Sequence, residues 1–310
     1  MRVIVTNYTR FVRTALLVLL PVVLPVMLSA ADLTAHLTID HVTVAGKDLK
    51  AMQATLAALG IPSEYGGPHS NHATEMALTS FPDGSYLELI AIQPNADPTA
   101  VAAHYWSKHM QNDAGPSAWA VRPADFDFEV KRLQARNLAV RPARSGRARP
   151  DGVRLDWEAA SVGPGPNGTS FPFLIRDFTP REQRAYPTGK PTTEDFSGVA
   201  RVVIAVRNLK AAVARYRFVY DLEAPPMRQA DQSFGAQLAY FPGTPIILAM
   251  PLNQESRLTS RLDQIGEGPC AFILKAQNAK SYRVTSHATW FGTAISWLDT
   301  GKTGWWLGSE

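Results

Sequence analysis

Two short, mainly apolar stretches, residues 38–45 and 85–92, carry side chains able to do chemistry, notably His41 in the first and Glu88 in the second. Period-two alternation groups His41 with Leu37 and Ile39, opposite Val42 and Val44. It groups Glu88 with Tyr86 and Ile90, opposite Leu87 and Leu89. Both faces of the second stretch are apolar, so Glu88 is expected inside, where a carboxylate must be paired, protonated or bound to metal. Imidazole and carboxylate together suit a divalent ion such as Zn, Mn, Fe or Ni. The expected metal ligands are therefore His41, Glu88 and His72, with His69 and His287 as weaker third candidates, and Glu88 is the expected catalytic group. The competing readings are a structural His41–Glu88 hydrogen bond, a Glu88 paired with an arginine, or two surface residues.

Other reactive types are read more plainly. Arg141, Arg144, Arg147, Arg149 and Arg154 crowd a turn. Arginine forks suit anionic substrates, but a solvated loop is the favoured reading. His104 and His109 fall on an expected helix at a spacing that does not share one face, which argues against a metal there. Trp290, Trp297, Trp305 and Trp306 read as packing of the last strands rather than as a pocket wall. Cys270 is the only cysteine, so no intrachain disulfide and no cysteine-based zinc site can form; its apolar neighbours make it a core residue. Neither a phosphate-cradling loop with a following lysine nor a Gly-x-Ser-x-Gly elbow is present.

The elements that must position these residues repeat along the chain. Three times an apolar strand (38–45, 119–121, 202–206) runs into a capping residue, Asp48, Asp125 or Asn208, and then a helix with a single apolar stripe. Further strand signals follow each helix, the first pair joined by the turn Pro82-Asp83-Gly84. This is a βαβββ module, with a weaker fourth copy expected over 269–306. A polar segment with three prolines, 179–196, reads as a linker between halves.

Asp40-His41-Val42-Thr43-Val44, Gly66-Gly67-Pro68-His69, the run from Gly84 to Ile90 and the stretch 145–152 followed by Trp157 resemble the glyoxalase-like branch of the vicinal-oxygen-chelate superfamily, chiefly over residues 37–187. That resemblance implies an α+β fold of repeated βαβββ modules, whose curved mixed sheets surround a small-molecule cavity. In the superfamily a divalent metal is often held there by His and Glu from facing strands. Lyases, isomerases, dioxygenases and non-catalytic sequestering proteins share this scaffold, so enzyme and binding protein both stay open. The equivalents of His41 are Ala118 and Arg201, and those of Glu88 fall within 173–175 and 247–249, so a four-ligand site spanning paired modules is not expected.

The chain has 310 residues, enough for two domains, and a formal charge of +4. Arg2, Arg10 and Arg13 supply three of those charges from an acid-free N-terminus, so no clustered footprint for nucleic acid remains. Arg10 and Arg13 precede an apolar run over 15–28 and then Ser29-Ala30-Ala31, the pattern of a cleaved signal peptide over 1–31. A membrane anchor is the alternative, but the run is roughly 14 residues where a span needs about 20, and two prolines interrupt it. The expected organisation is a glyoxalase-like module pair at 32–187 and a divergent pair at 188–310, exported to the periplasm or secreted. Its expected partner is a small-molecule ligand, with no stable membrane insertion after cleavage, and a homodimer is left open.

Overall fold

The computed structural model describes residues 37–278 and 280–310. The expected signal peptide lies outside the described residues. Within them no helix is long and apolar enough to cross a membrane.

Two eight-stranded mixed sheets make up the protein. In the first, β1 (Ile39–Ala45) leads into the helix Leu49–Ala58 and then β2 (Glu64–Pro68), β3 (Thr74–Ser80) and β4 (Tyr86–Ile92). A second module follows with β5 (Gly115–Val121), the helix Phe126–Ala135, β6 (Val140–Ala148), β7 (Arg154–Val162) and β8 (Phe173–Asp177). The strand order is β2-β3-β4-β1-β5-β8-β7-β6, so the first strands of the two modules pair at the centre. β1 and β5 are antiparallel, while β1 runs parallel to β4 and β5 parallel to β8. The second half repeats the plan with β9 (Phe196–Ala205), the helix Leu209–Tyr220, β10 (Arg228–Asp231), β11 (Ala236–Tyr240) and β12 (Ile246–Pro251). Its fourth module keeps β13 (Gly268–Ala276), β14 (Val284–Trp290), β15 (Thr293–Leu298) and β16 (Trp306–Ser309), but among the described residues no helix separates β13 from β14.

The expected caps form. Asp48 accepts from the Ala51 amide at 3.1 Å, Asp125 from Phe128 at 2.9 Å and Asn208 from Ala211 at 3.0 Å. Each satisfies an amide that the first helical turn leaves without a partner. The helices bury the stripes read from the sequence, including Leu49, Met52 and Leu56 in the first. One continuous core, from Val42 and Val44 to Ile204 and Tyr216, joins the helix-covered faces of both sheets. Phe171 against Tyr216 (5.3 Å between ring centroids) ties one half to the other.

One local departure from alternation decides where the chemistry points. Ile39 pairs with Val121 and His41 with Ala120, so Asp40 is an extra residue in β1, a bulge. Ile39 therefore joins Val42 and Val44 in the helix-side core, and His41 turns to the other face. The expected grouping of His41 with Leu37 and Ile39 is thus corrected.

Candidate functional site

The face of the first sheet turned away from the helices Leu49–Ala58 and Phe126–Ala135 lines a cavity of about 330 Å³ that includes His41, His69, Tyr86, Glu88, Arg147 and Phe173. The β1–β4 register sets Thr43 beside Glu88, and the Thr43 hydroxyl donates to Glu88 Oε2 at 3.2 Å. His41 Nε2 stands 3.8 Å from Glu88 Oε2, and His69 Nε2 stands 3.6 Å from Glu88 Oε1. Burial pushes the pKa of Glu88 up, but His69, His41 and the Thr43 hydroxyl outweigh it and leave the group at about 2. Glu88 is thus a permanent anion at neutral pH, better suited to stabilising positive charge than to exchanging protons.

Behind His41 lies a buried ionic network. Asp40 is fully buried, and burial raises its pKa, yet Arg184, Arg181 and His41 together hold it well below the usual carboxylate range. Being ionised, it can only accept, so the 2.6 Å contact with His41 Nδ1 has the imidazole donating. In the neutral ring that leaves a bare lone pair on Nε2, facing Glu88 and the cavity. Tyr86 stacks on the imidazole at 4.8 Å, and Phe173 meets it edge-on at 5.3 Å. Arg184 donates to Asp40 Oδ2 at 2.9 Å and to the Tyr86 hydroxyl at 2.6 Å, and it also pairs with Asp177. Arg181 pairs with Asp40 and donates to its carbonyl at 3.1 Å.

The sequence pair His41 and Glu88 does come together, whereas the expected third ligand does not join it. His72 sits exposed in the turn between β2 and β3, in the left-handed region at φ 56°, outside the cavity lining. The turn instead delivers His69, the first residue after β2, whose Nδ1 is anchored on the Thr74 hydroxyl at 2.8 Å. His287 is on β14 of the other sheet. The two imidazoles address different oxygens of one carboxylate. Among the described residues no three His, Cys, Asp or Glu side chains are arranged to hold a metal ion. As arranged, His41, His69 and Glu88 do not fit the metal that the superfamily often holds.

Nothing in the sequence marks Arg181 and Arg184, because the polar, proline-bearing segment 179–196 has the composition of a linker. Its residues Arg181–Ala185 form a helix that closes over Asp40. Nothing periodic marks so short a helix, and only its proximity to Asp40 in space gives it meaning. The expected single helix carrying His104 and His109 is instead two, Pro98–Ala103 and Ser107–Gln111, with His104 capping the first. His104 lines the cavity and is held neutral, its pKa pushed to about 4, chiefly by burial and then by His69 nearby.

The repeated modules show where the chemistry was not built. Where β1 and β4 place Thr43 beside Glu88, β5 and β8 place Ala120 beside Phe173, and β9 and β12 place Val203 beside Ile247. In the second sheet the corresponding face is filled by Phe234, Trp290, Trp297 and Trp306, with ring centroids 4.7–5.3 Å apart. Arg201, at the place of His41, pairs with Glu310 at 2.6 Å and lies over Tyr240. Trp290 and Trp297 are core packing as expected, whereas Trp305 and Trp306 also line a surface pocket, and Cys270 is buried with its thiol pushed up to about 12.

Paired βαβββ modules whose sheet lines a cavity are the architecture of the glyoxalase-like class. The family model described as "Glyoxalase-like domain" matches residues 39–220, more than half of the chain. The chain belongs to that family. Among solved structures, a hypothetical protein from Staphylococcus aureus is similar over 88% of this chain and 99% of its own, at 15% identity and a TM-score of 0.60. A variant of 4-hydroxymandelate synthase from Streptomyces coelicolor is similar over 88% of this chain and 91% of its own, at 10% identity and a TM-score of 0.55. Methylmalonyl-CoA epimerase from Mycobacterium tuberculosis matches 38% of this chain and 89% of its own, at 19% identity and a TM-score of 0.32. No curated protein matches in sequence.

Proposed function

We propose that this chain is an enzyme that moves a proton on a small oxygenated molecule bound in the first-sheet cavity, with His41 as the base. The observation that carries the reading is the buried Asp40–His41 pair, which presents Nε2 to the cavity. In the step proposed, the C–H bond beside a substrate carbonyl breaks, its electron pair moves onto the carbonyl as an enolate, and the proton passes to Nε2. The resulting imidazolium lies between Asp40 and Glu88, both ionised, which stabilises it. His69, on the other oxygen of Glu88, is placed to return a proton. Proton abstraction of this kind is the step that lyases and isomerases share, and a positioned base contributes about 10²–10⁴-fold.

The test is deuterium incorporation, followed by NMR, into a panel of small carbonyl compounds incubated with the protein in D₂O. Exchange is expected with the wild type and a loss of about 10²–10⁴-fold with His41→Ala. Compounds that bind without exchanging would favour the second reading, a sequestering protein, which the apolar lining of Ile90, Ala159, Phe173 and Ile175 supports. Elemental analysis separates a third outcome: a divalent ion at about one per chain in the wild type and lost from His41→Ala would return these side chains to the metal-ligand role. Export is part of the proposal and rests on residues 1–31; N-terminal sequencing of the mature chain tests it.

A further inference from the structure

We infer that the molecule bound in this cavity carries a carboxylate and that Arg147 grips it. The inference rests on the cavity being the substrate site proposed above, and it adds the substrate's chemical class.

By composition alone Arg147 falls in a turn that resembles a solvated loop. The structure puts it on β6, where residues 141–145 are exposed but Arg147 is only 8% exposed. Removing a guanidinium from water costs several kcal/mol unless an anion compensates it. Arg147 has one recorded hydrogen bond, from Nη1 to the Gly66 carbonyl at 2.6 Å, against five N–H donors on the group. The other arginines of the lining are differently placed. Arg184 has Asp40 and Asp177, and Arg144 has Asp156. Arg141 is exposed. Arg147 is thus a buried lining guanidinium with no carboxylate within ion-pair distance among the described residues. Glu88, the single carboxylate of the lining, is already faced by His41 and His69. Burial holds the pKa of Arg147 below the usual arginine range, yet arginine stays charged under such conditions.

The cationic group is built in rather than stray. A Cβ on Gly146 would lie 2.7 Å from the Leu155 carbonyl oxygen, so glycine there lets β6 approach β7 closely just before Arg147. A guanidinium fork with free donors matches a carboxylate's two oxygens. The aromatic rings of Tyr86, Trp106, Trp157 and Phe173 offer flat apolar surface beside it. The chemistry that fits both is a carboxylate on a flat, apolar body.

Benzoate and benzamide, alike in shape but not in charge, are the probes, titrated by calorimetry into the full chain. The wild type is expected to bind benzoate at least about tenfold tighter, the scale of one charge-assisted hydrogen bond. Arg147→Met should abolish that preference, and Arg147→Lys should restore part of it. Equal binding of the two probes by the wild type overturns the inference without any variant. A preference that survives in Arg147→Met overturns the role of Arg147. His41→Ala should keep the preference. A kept preference without deuterium exchange in the wild type would leave this inference standing and remove the catalytic reading; exchange without a preference would do the reverse.

Discussion

Replacing Arg184 by methionine tests the network on which the site depends. The guanidinium is buried at 4% exposure and holds fully buried Asp40 by Nη1 and Nη2, at 3.1 and 2.9 Å from its two oxygens. It also bonds the Tyr86 hydroxyl and Asp177. Removing one partner of a buried pair costs about 3–5 kcal/mol, because the other charge is left in a low dielectric. Arg181 remains on Asp40, so the lower half of that range is expected, roughly 3 kcal/mol. At about 2–4 °C per kcal/mol, the melting temperature should fall by about 6–12 °C. The pH dependence adds a second signature. A carboxylate whose folded pKa is depressed contributes stability that is present above its unfolded value, about 3.9, and lost as pH falls toward the folded value. Without Arg184, burial raises the pKa of Asp40 with less opposition, so the loss begins at higher pH in the variant. The gap between variant and wild type should therefore be widest near neutrality and narrow below about pH 4. Urea unfolding from pH 3 to 8 of wild type, Arg184→Met, Asp40→Asn and the double variant measures both, and the cycle gives the coupling. A single variant within 1 kcal/mol of wild type, or a gap that ignores pH, would refute the reasoning.

Glu88 titrates at about 2 when folded, so its stabilising contribution is present above about pH 5 and fades as pH falls toward 2; Glu88→Gln should flatten the urea midpoint over that acid range. Trp297 is 1% exposed in the aromatic filling of the second sheet, and Trp297→Ala should cost about 3–5 kcal/mol in the same assay while deuterium exchange by the folded fraction persists. Gly115 adopts φ +66°, and an added Cβ would lie 2.4 Å from Trp305 Cδ1, so Gly115→Ala should lower stability by about 1–3 kcal/mol through strain and overpacking. The Cys270 thiol, buried and held near 12, should not react with a thiol reagent in the native protein at pH 8 and should react fully once guanidinium unfolds it.

Much of this protein follows from local patterning. Strand–cap–helix repeats are short-range facts: Asp48, Asp125 and Asn208 cap their helices because each oxygen lies within one turn of the amide it satisfies. The repeated modules, and the residues that replace His41 and Glu88 in the second and third of them, were legible for that reason. Several features were not. The bulge at Asp40 inverts the alternation around His41, and it depends on how β1 registers against β5, about 80 residues away. His69 rather than His72 reaches Glu88 because one turn conformation sends neighbouring histidines to different sides. Arg184 lies 144 positions from Asp40 and Arg147 81 from Gly66, in segments whose own composition reads as polar loop. Charge pairing at such separations is set by which surfaces the packed sheets bring together, since a buried ion finds its partner in space and not along the chain.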